Sequence, residues 1–209
     1  MYTYPREGWL LYPPRQIPEQ DVIVEPVREP VTLEELKTHL RIDLPDLDSY
    51  LTNLIRGARQ WVEKYTGLAL VSQTLEMYLD SYPAGGMITL RGPLIDVVSF
   101  DYLDGTYQAI AADQYVIDTR AKAPRLTPAS GVSWSFSGTP NYLRVRWRAG
   151  FVDTSASPTQ DDSLVPENLR TAIMFHAEAI HTRDERMMDK ILEVAANLCK
   201  PYVVDFGFA

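Results

Sequence analysis

Between Leu47 and Tyr65 the residues Leu47, Tyr50, Leu51, Leu54, Ile55, Ala58, Trp61, Val62 and Tyr65 recur every three or four positions. That period predicts one long amphipathic helix with a broad apolar stripe. Its ends are marked. Pro45 lacks an N–H and disfavours helix at Leu44, Asp46 is a candidate cap, and Gly67 suits the left-handed residue that closes a helix. A shorter helix precedes it. Thr32 and Glu35 have capping-box spacing, and Leu33, Leu36 and Leu40 follow at helical intervals. Burying the longer stripe contributes about 10–20 kcal/mol before chain entropy is subtracted. The stripe is therefore core, and function must reside in what it lets the rest of the chain present.

After Gly67 the period drops to two. Residues 74–80 alternate, with Leu75, Met77 and Leu79 on one side. Short strands are predicted at 87–90, 95–103 and 115–118, with a hairpin signal at Asp104-Gly105. Residues 120–141 read mostly as loop with one or two short strands. Residues 142–148 place Tyr142, Arg144, Arg146 and Arg148 on one face and Leu143, Val145 and Trp147 on the other. Residues 154–163 read as a polar linker. A third helix opens at Pro166, with a stripe of Leu169, Ala172, Ile173, His176, Ala177 and Ile180. A fourth spans 185–199 and uses Met188, Ile191, Leu192, Ala195 and Leu198, with Pro201 stopping it. The expected fold class is α+β: an antiparallel bundle of about four helices (32–67 and 165–200). An antiparallel β unit of five to seven strands (68–151) is inserted between the second and third helices.

Two extensions flank this frame. Residues 1–31 hold six prolines together with Tyr2, Tyr4, Trp9, Leu10, Leu11 and Tyr12. Prolines at this density favour an extended arm. The aromatics suit packing on its own domain or on a neighbour better than they suit a solvated linker. The tail, 201–209, carries Tyr202, Val203, Val204, Phe206 and Phe208 and is too short for a core of its own.

Little in the chain points to a reaction. His176 and His181 are five residues apart, which separates them around a helix and argues against a metal pair. Cys199 is the only cysteine and reads as a small core residue. No serine sits in a nucleophile elbow, and Gly85-Gly86 is a turn with no phosphate-loop motif around it. The arginine face at 144–148 is either a solvated or acid-paired strand face or an anion site. The net charge is −8, with 20 Lys and Arg against 28 Asp and Glu, which disfavours a duplex-binding surface. No apolar run approaches a membrane span, and the first residues do not resemble a signal peptide. No cofactor, metal or catalytic set is expected.

Several segments in order resemble one family. They are EPVTLEELKTHLRID (29–43), WVEKYTGLALVSQTLEMYLD (61–80), ITLRGPLIDVVSFDYLDG (88–105), YVID (115–118), LRVRWRAGF (143–151), VPENLRTAI (165–173) and LCKPY (198–202). Together they resemble the phage head-tail connector, or adaptor, proteins of gp6-like and phiE125 gp8-like type, also found in prophages and gene transfer agents. The aromatic arm before Val22 departs from the pattern. The resemblance implies a non-enzymatic virion protein that forms a ring, usually of twelve copies, beneath the portal protein. The ring extends the DNA channel and docks the next tail or stopper component, with DNA only as cargo and no membrane contact. Another neck or tail-completion protein is the alternative, and a host hydrolase or ligand-binding module a more distant one. Within the connector reading, Tyr202, Val203, Val204, Phe206 and Phe208 are the expected portal-docking residues. Trp9, Leu11, Tyr12 and Trp134 are expected to contact a neighbouring subunit or the tail.

Overall fold

The computed structural model describes residues 19–83, 86–121, 123–134, 138–152, 164–182 and 184–204. Trp9, Leu11, Tyr12, Phe206, Phe208 and the linker 153–163 lie outside the described residues. The helices are α1 (Leu33–Leu40), α2 (Asp48–Thr66), α3 (Glu167–His181) and α4 (Glu185–Cys199). The strands are β1 (Gln20–Val24), β2 (Gln73–Leu79), β3 (Ile88–Thr89), β4 (Leu94–Asp104), β5 (Thr106–Ala109), β6 (Tyr115–Asp118), β7 (Arg125–Pro128) and β8 (Leu143–Ala149). The fold is α+β, with β2 to β8 between the second and third helices, as the periodicities imply.

The capping box at Thr32 and Glu35 forms with both of its hydrogen bonds, and Gly67 closes α2 at φ 75°. Asp46 does not cap α2. It sits inside a 3-10 turn, Pro45–Leu47, which runs directly into the helix, so the start is made by Pro45 and no side-chain cap is present. Pro166 stands at the N-cap of α3, one position earlier than its fixed φ suggests. Asp184 caps α4, accepting from the N–H groups of Arg186 and Met187.

Strand order is β1-β2-β8-β4-β5 in the larger sheet and β3-β7-β6 in the smaller, antiparallel throughout. The edge strand β1 comes from the proline-rich N-terminal stretch, so the end of that stretch packs back on its own domain. Two apolar clusters result. One gathers α1, α2 and α3 around Leu51, Ile55, Val62, Leu169 and Ile173. The other lies between the sheets around Leu75, Met77, Phe100, Leu126, Val145 and Trp147. The Trp147 indole N–H donates to the Arg91 carbonyl at 3.0 Å, so even the largest core side chain has its polar atom paired.

The clusters meet at residues 68–71, which follow Gly67. Gly150 lies against them at φ 147°, donating to Pro93 O at 2.9 Å, and Phe151 N–H reaches Leu70 O at 3.1 Å. A Cβ on Gly150 would stand 2.5 Å from the Val71 carbonyl carbon, so only glycine fits.

Candidate functional site

Four parts of the surface were candidates from sequence: the arginine strand, the histidine region, the loop around Trp134 and the tail. Strand β8 alternates, and its neighbours decide what the arginines do. Arg144 donates to Asp101 at 2.9 Å and lies 4.1 Å over the Tyr107 ring. Arg146 pairs with Glu76, and Arg148 pairs with Asp96 at 2.5 Å. Cross-strand register puts each acid beside its arginine, Glu76 opposite Arg146 on β2 and Asp96 opposite Arg148 on β4. The three cations are thus neutralised within the sheet, which favours the acid-paired reading of this face over an anion site.

The histidines separate, as their spacing predicts. His176 stacks on Trp61, ring centroids 4.5 Å apart, and burial holds its pKa down at about 4. His39 meets Glu178 at 2.8 Å, joining α1 to α3, a long-range pairing that local spacing does not reveal. His181 lies near Tyr50. Among the described residues no group of three or more His, Cys, Asp or Glu is arranged to hold a metal ion. Cys199 is buried in the helical cluster, and burial pushes its thiol up to about 12. Among the described residues no helix is long and apolar enough to cross a membrane.

A buried polar network escaped the sequence reading. Arg59 and Glu63, on the face of α2 toward β2, are only 2% and 4% exposed. Glu63 accepts from Arg59 at 2.8 Å, from Leu70 N–H at 2.9 Å and from Gln73 Nε2 at 2.8 Å. Arg59 also donates to Glu29 at 2.7 Å. Burial pushes the Glu63 carboxyl up, against the pull of Arg59. The network ties α2 to the chain entering β2 and to the segment after β1. An open cleft of about 340 Å³ beside it contains both signs of charge, among them Glu19, Glu25, Lys64 and Arg91.

Trp134 does not stand free in its loop. It stacks on Tyr82 at 4.8 Å and meets Phe100 edge-on at 5.6 Å, half-buried at the margin of the sheet cluster. The start of the tail also differs from a free extension. Residues 200–202 form a 3-10 turn, Tyr202 packs on the helical cluster, and Val204 is buried in it with its N–H donating to Thr66 O at 2.8 Å. Tyr202 and Val204 therefore complete the bundle's own core, because they follow α4 directly and Val204 falls over the end of α2.

Several apolar side chains of the α3–α4 hairpin are exposed. Met187, Ile191, Val194 and Leu198 form a second stripe on α4, beside the one that faces α3. Met187 is 53% exposed and Val194 44%, and Ile180 on α3, expected in the core, is 49% exposed. Position 180 lies in the last turn of α3, where the other helices no longer cover it.

Residues 30–89, which hold the capping box, α2 and the first strands, match the family model described as phage gp6-like head-tail connector protein. Over that segment the chain is similar to the gp6-like head-tail connectors. A likeness of fold extends beyond it. A chain in the neck of an empty gene transfer agent (GTA) particle, computed with C6 symmetry, aligns with TM-score 0.73 at 18% identity, covering 91% of this chain and 97% of that one. A chain in the virion of a native GTA particle aligns at 0.67 with 20% identity, covering 90% and 97%. One in the neck of a native GTA particle, computed with C12 symmetry, aligns at 0.64 with 20% identity, covering 91% and 97%. Among curated proteins none matches the chain.

Proposed function

We propose that this chain is a structural connector, not an enzyme, that assembles as a ring in the neck of a phage or gene transfer agent particle. The observation that carries this reading is that the segment matching the connector family model lies within a fold shared over 91% of the chain with a chain of a GTA neck. The ring, of twelve copies, sits beneath the portal protein, docks the next tail or stopper component below, and passes DNA through its lumen.

The physical character of the surface supports such a role. A closed ring needs two different complementary faces on each subunit. The stripe Met187, Ile191 and Val194 supplies an apolar face that is at most half-covered, with Met187 and Val194 exposed. The net charge of −8 disfavours strong attachment to DNA moving past. Because Val204 is bound into the bundle, the portal-docking element in this reading begins after it, with Phe206 and Phe208. Trp9 and Leu11 in the N-terminal arm are left to contact a neighbouring subunit or the tail.

The test is to delete residues 205–209 and follow binding to purified portal protein by light scattering. Loss of portal binding with an unchanged melting temperature is expected. If the shortened chain binds portal with unchanged affinity, the tail assignment falls. A full-length chain that neither binds portal nor forms rings with it would end the connector reading itself.

A further inference from the structure

A cleft of about 280 Å³ opens where the ends of β2, β4 and β8 meet the loops after β5 and β7. Its walls are aromatic: Tyr82, Tyr102, Trp134 and Tyr142, with Ile110 and Gln114 beside them. The rings hold one another in place. Tyr82 stacks on Trp134 and stands edge-on to Tyr142, and Tyr102 lies tilted against Tyr142 at 6.4 Å. The Trp134 indole N–H is shielded from solvent and has no acceptor among the described residues. Indole is a donor only, so among the described residues it lacks one oxygen. A small turn of the ring toward the cleft would offer that N–H to an incoming carbonyl.

Aromatic walls with an N–H donor suit a proline-rich extended segment. Such a segment is stiff before it binds, its rings lie flat on aromatic faces, and its carbonyls accept while its prolines bring no competing N–H. The chain contains one: Tyr12-Pro13-Pro14-Arg15. Its position suits the cleft. Strand β1 begins at Gln20, opposite Met77, and its N-terminal end is the one toward the end of β2 that leads to Tyr82. Register places Leu79 opposite Leu143 and Leu143 opposite Tyr102, so the cleft is at the same end of the sheet. From Gln20 to Tyr102 is three strand spacings across and two residues along, about 16 Å. At about 3.1 Å per residue, five to eight residues of extended chain cover about 16–25 Å. Arg15 and Tyr12 are five and eight residues before Gln20.

We propose that the cleft between Trp134, Tyr82, Tyr102 and Tyr142 is a binding site for a proline-rich extended segment, occupied by Tyr12–Arg15 of the same chain. The segment straps the N-terminal arm across the end of the large sheet and leaves Trp9 to Leu11 beyond it. The proposal stands apart from the connector reading, since it needs only one copy.

The test uses the full-length chain with p-benzoylphenylalanine in place of Gln16, photo-crosslinked at low concentration and digested with trypsin. Crosslinks within single chains to the fragment between Arg125 and Arg144, which holds Trp134 and Tyr142, are expected. The double variant Pro13→Ala, Pro14→Ala, which changes nothing inside the described fold, should lower that yield at least fivefold. Trp134→Phe keeps a ring and removes the donor, and should lower it severalfold at an unchanged melting temperature. Links found mainly in covalent dimers would overturn own-chain occupancy, and links confined to fragments that hold none of Tyr82, Tyr102, Trp134 and Tyr142 would overturn the cleft. A yield unaffected by the proline changes would overturn the recognition chemistry.

Discussion

Helices α2 and α4 are both amphipathic, and one chain treats them in opposite ways. Helix α2 is covered on two sides. Its stripe of Leu51, Ile55, Ala58 and Val62 is buried against α1 and α3, and its other flank buries Arg59 and Glu63 toward β2. Helix α4 buries only Ala195 and Cys199, with Met188, Ile191, Leu192 and Leu198 half-covered and Met187 and Val194 exposed. The lesson is that amphipathic pattern records how much apolar surface a helix offers, not how much its own chain can cover. The excess on α4 is surface suited to a partner.

This contrast can be broken by substitution. The largest effect is expected from Arg59→Ala, which leaves Glu63 buried without its cation and should cost about 3–5 kcal/mol in urea unfolding. A cost under 1 kcal/mol would mean that water already reaches this side of α2. Next, Leu51→Ala on α2 should cost about 3–4 kcal/mol, while Leu192→Ala on α4 should cost about 1 kcal/mol. Equal costs would erase the difference between the helices.

His176 sharpens the comparison through pH. Its folded pKa, about 4, lies below the ordinary value of 6.5 because burial disfavours the charged ring. The unfolded chain therefore binds the proton more readily. This contribution is fully present above pH 6.5 and is lost as pH falls toward 4. The loss should be about 1–2 kcal/mol once partial solvent screening is allowed for, and His176→Phe should flatten that part of the profile. The smallest effect on stability, within about 0.5 kcal/mol, is expected for Met187→Ser with Val194→Ser. The same double variant should lose self-association or portal binding in light scattering if α4 carries the subunit contact.

The elements were largely legible because their signals are local. The capping box, Gly67, the strand 115–118 and the limits of α4 each depend on residues within one or two turns of one another. What escaped depends on partners far along the chain. Arg59 and Glu63 look like ordinary solvated helix charges until Leu70, Gln73 and Glu29 come round to bury them. Strand β1 lies between Pro18 and Pro26 and gains its ladder only from β2. Val204 reads as a free tail until its N–H meets Thr66 O. Of the candidate surfaces, the arginine face was read with its acid-paired alternative open, and sheet register favours that alternative. The exposed stripe on α4 was hidden because periodicity alone assigns every apolar helix position to a core.

The contact between Gly150 and Val71 has a mechanical consequence. Backbone touches backbone there with no side chain between them, so the seam has nothing soft to yield. A push on the sheets would reach the start of the helical bundle through main chain, here at Gly150 against Val71. Any side chain at position 150 would hold the two strands of backbone apart, so the closeness of this seam depends on a single missing methyl group.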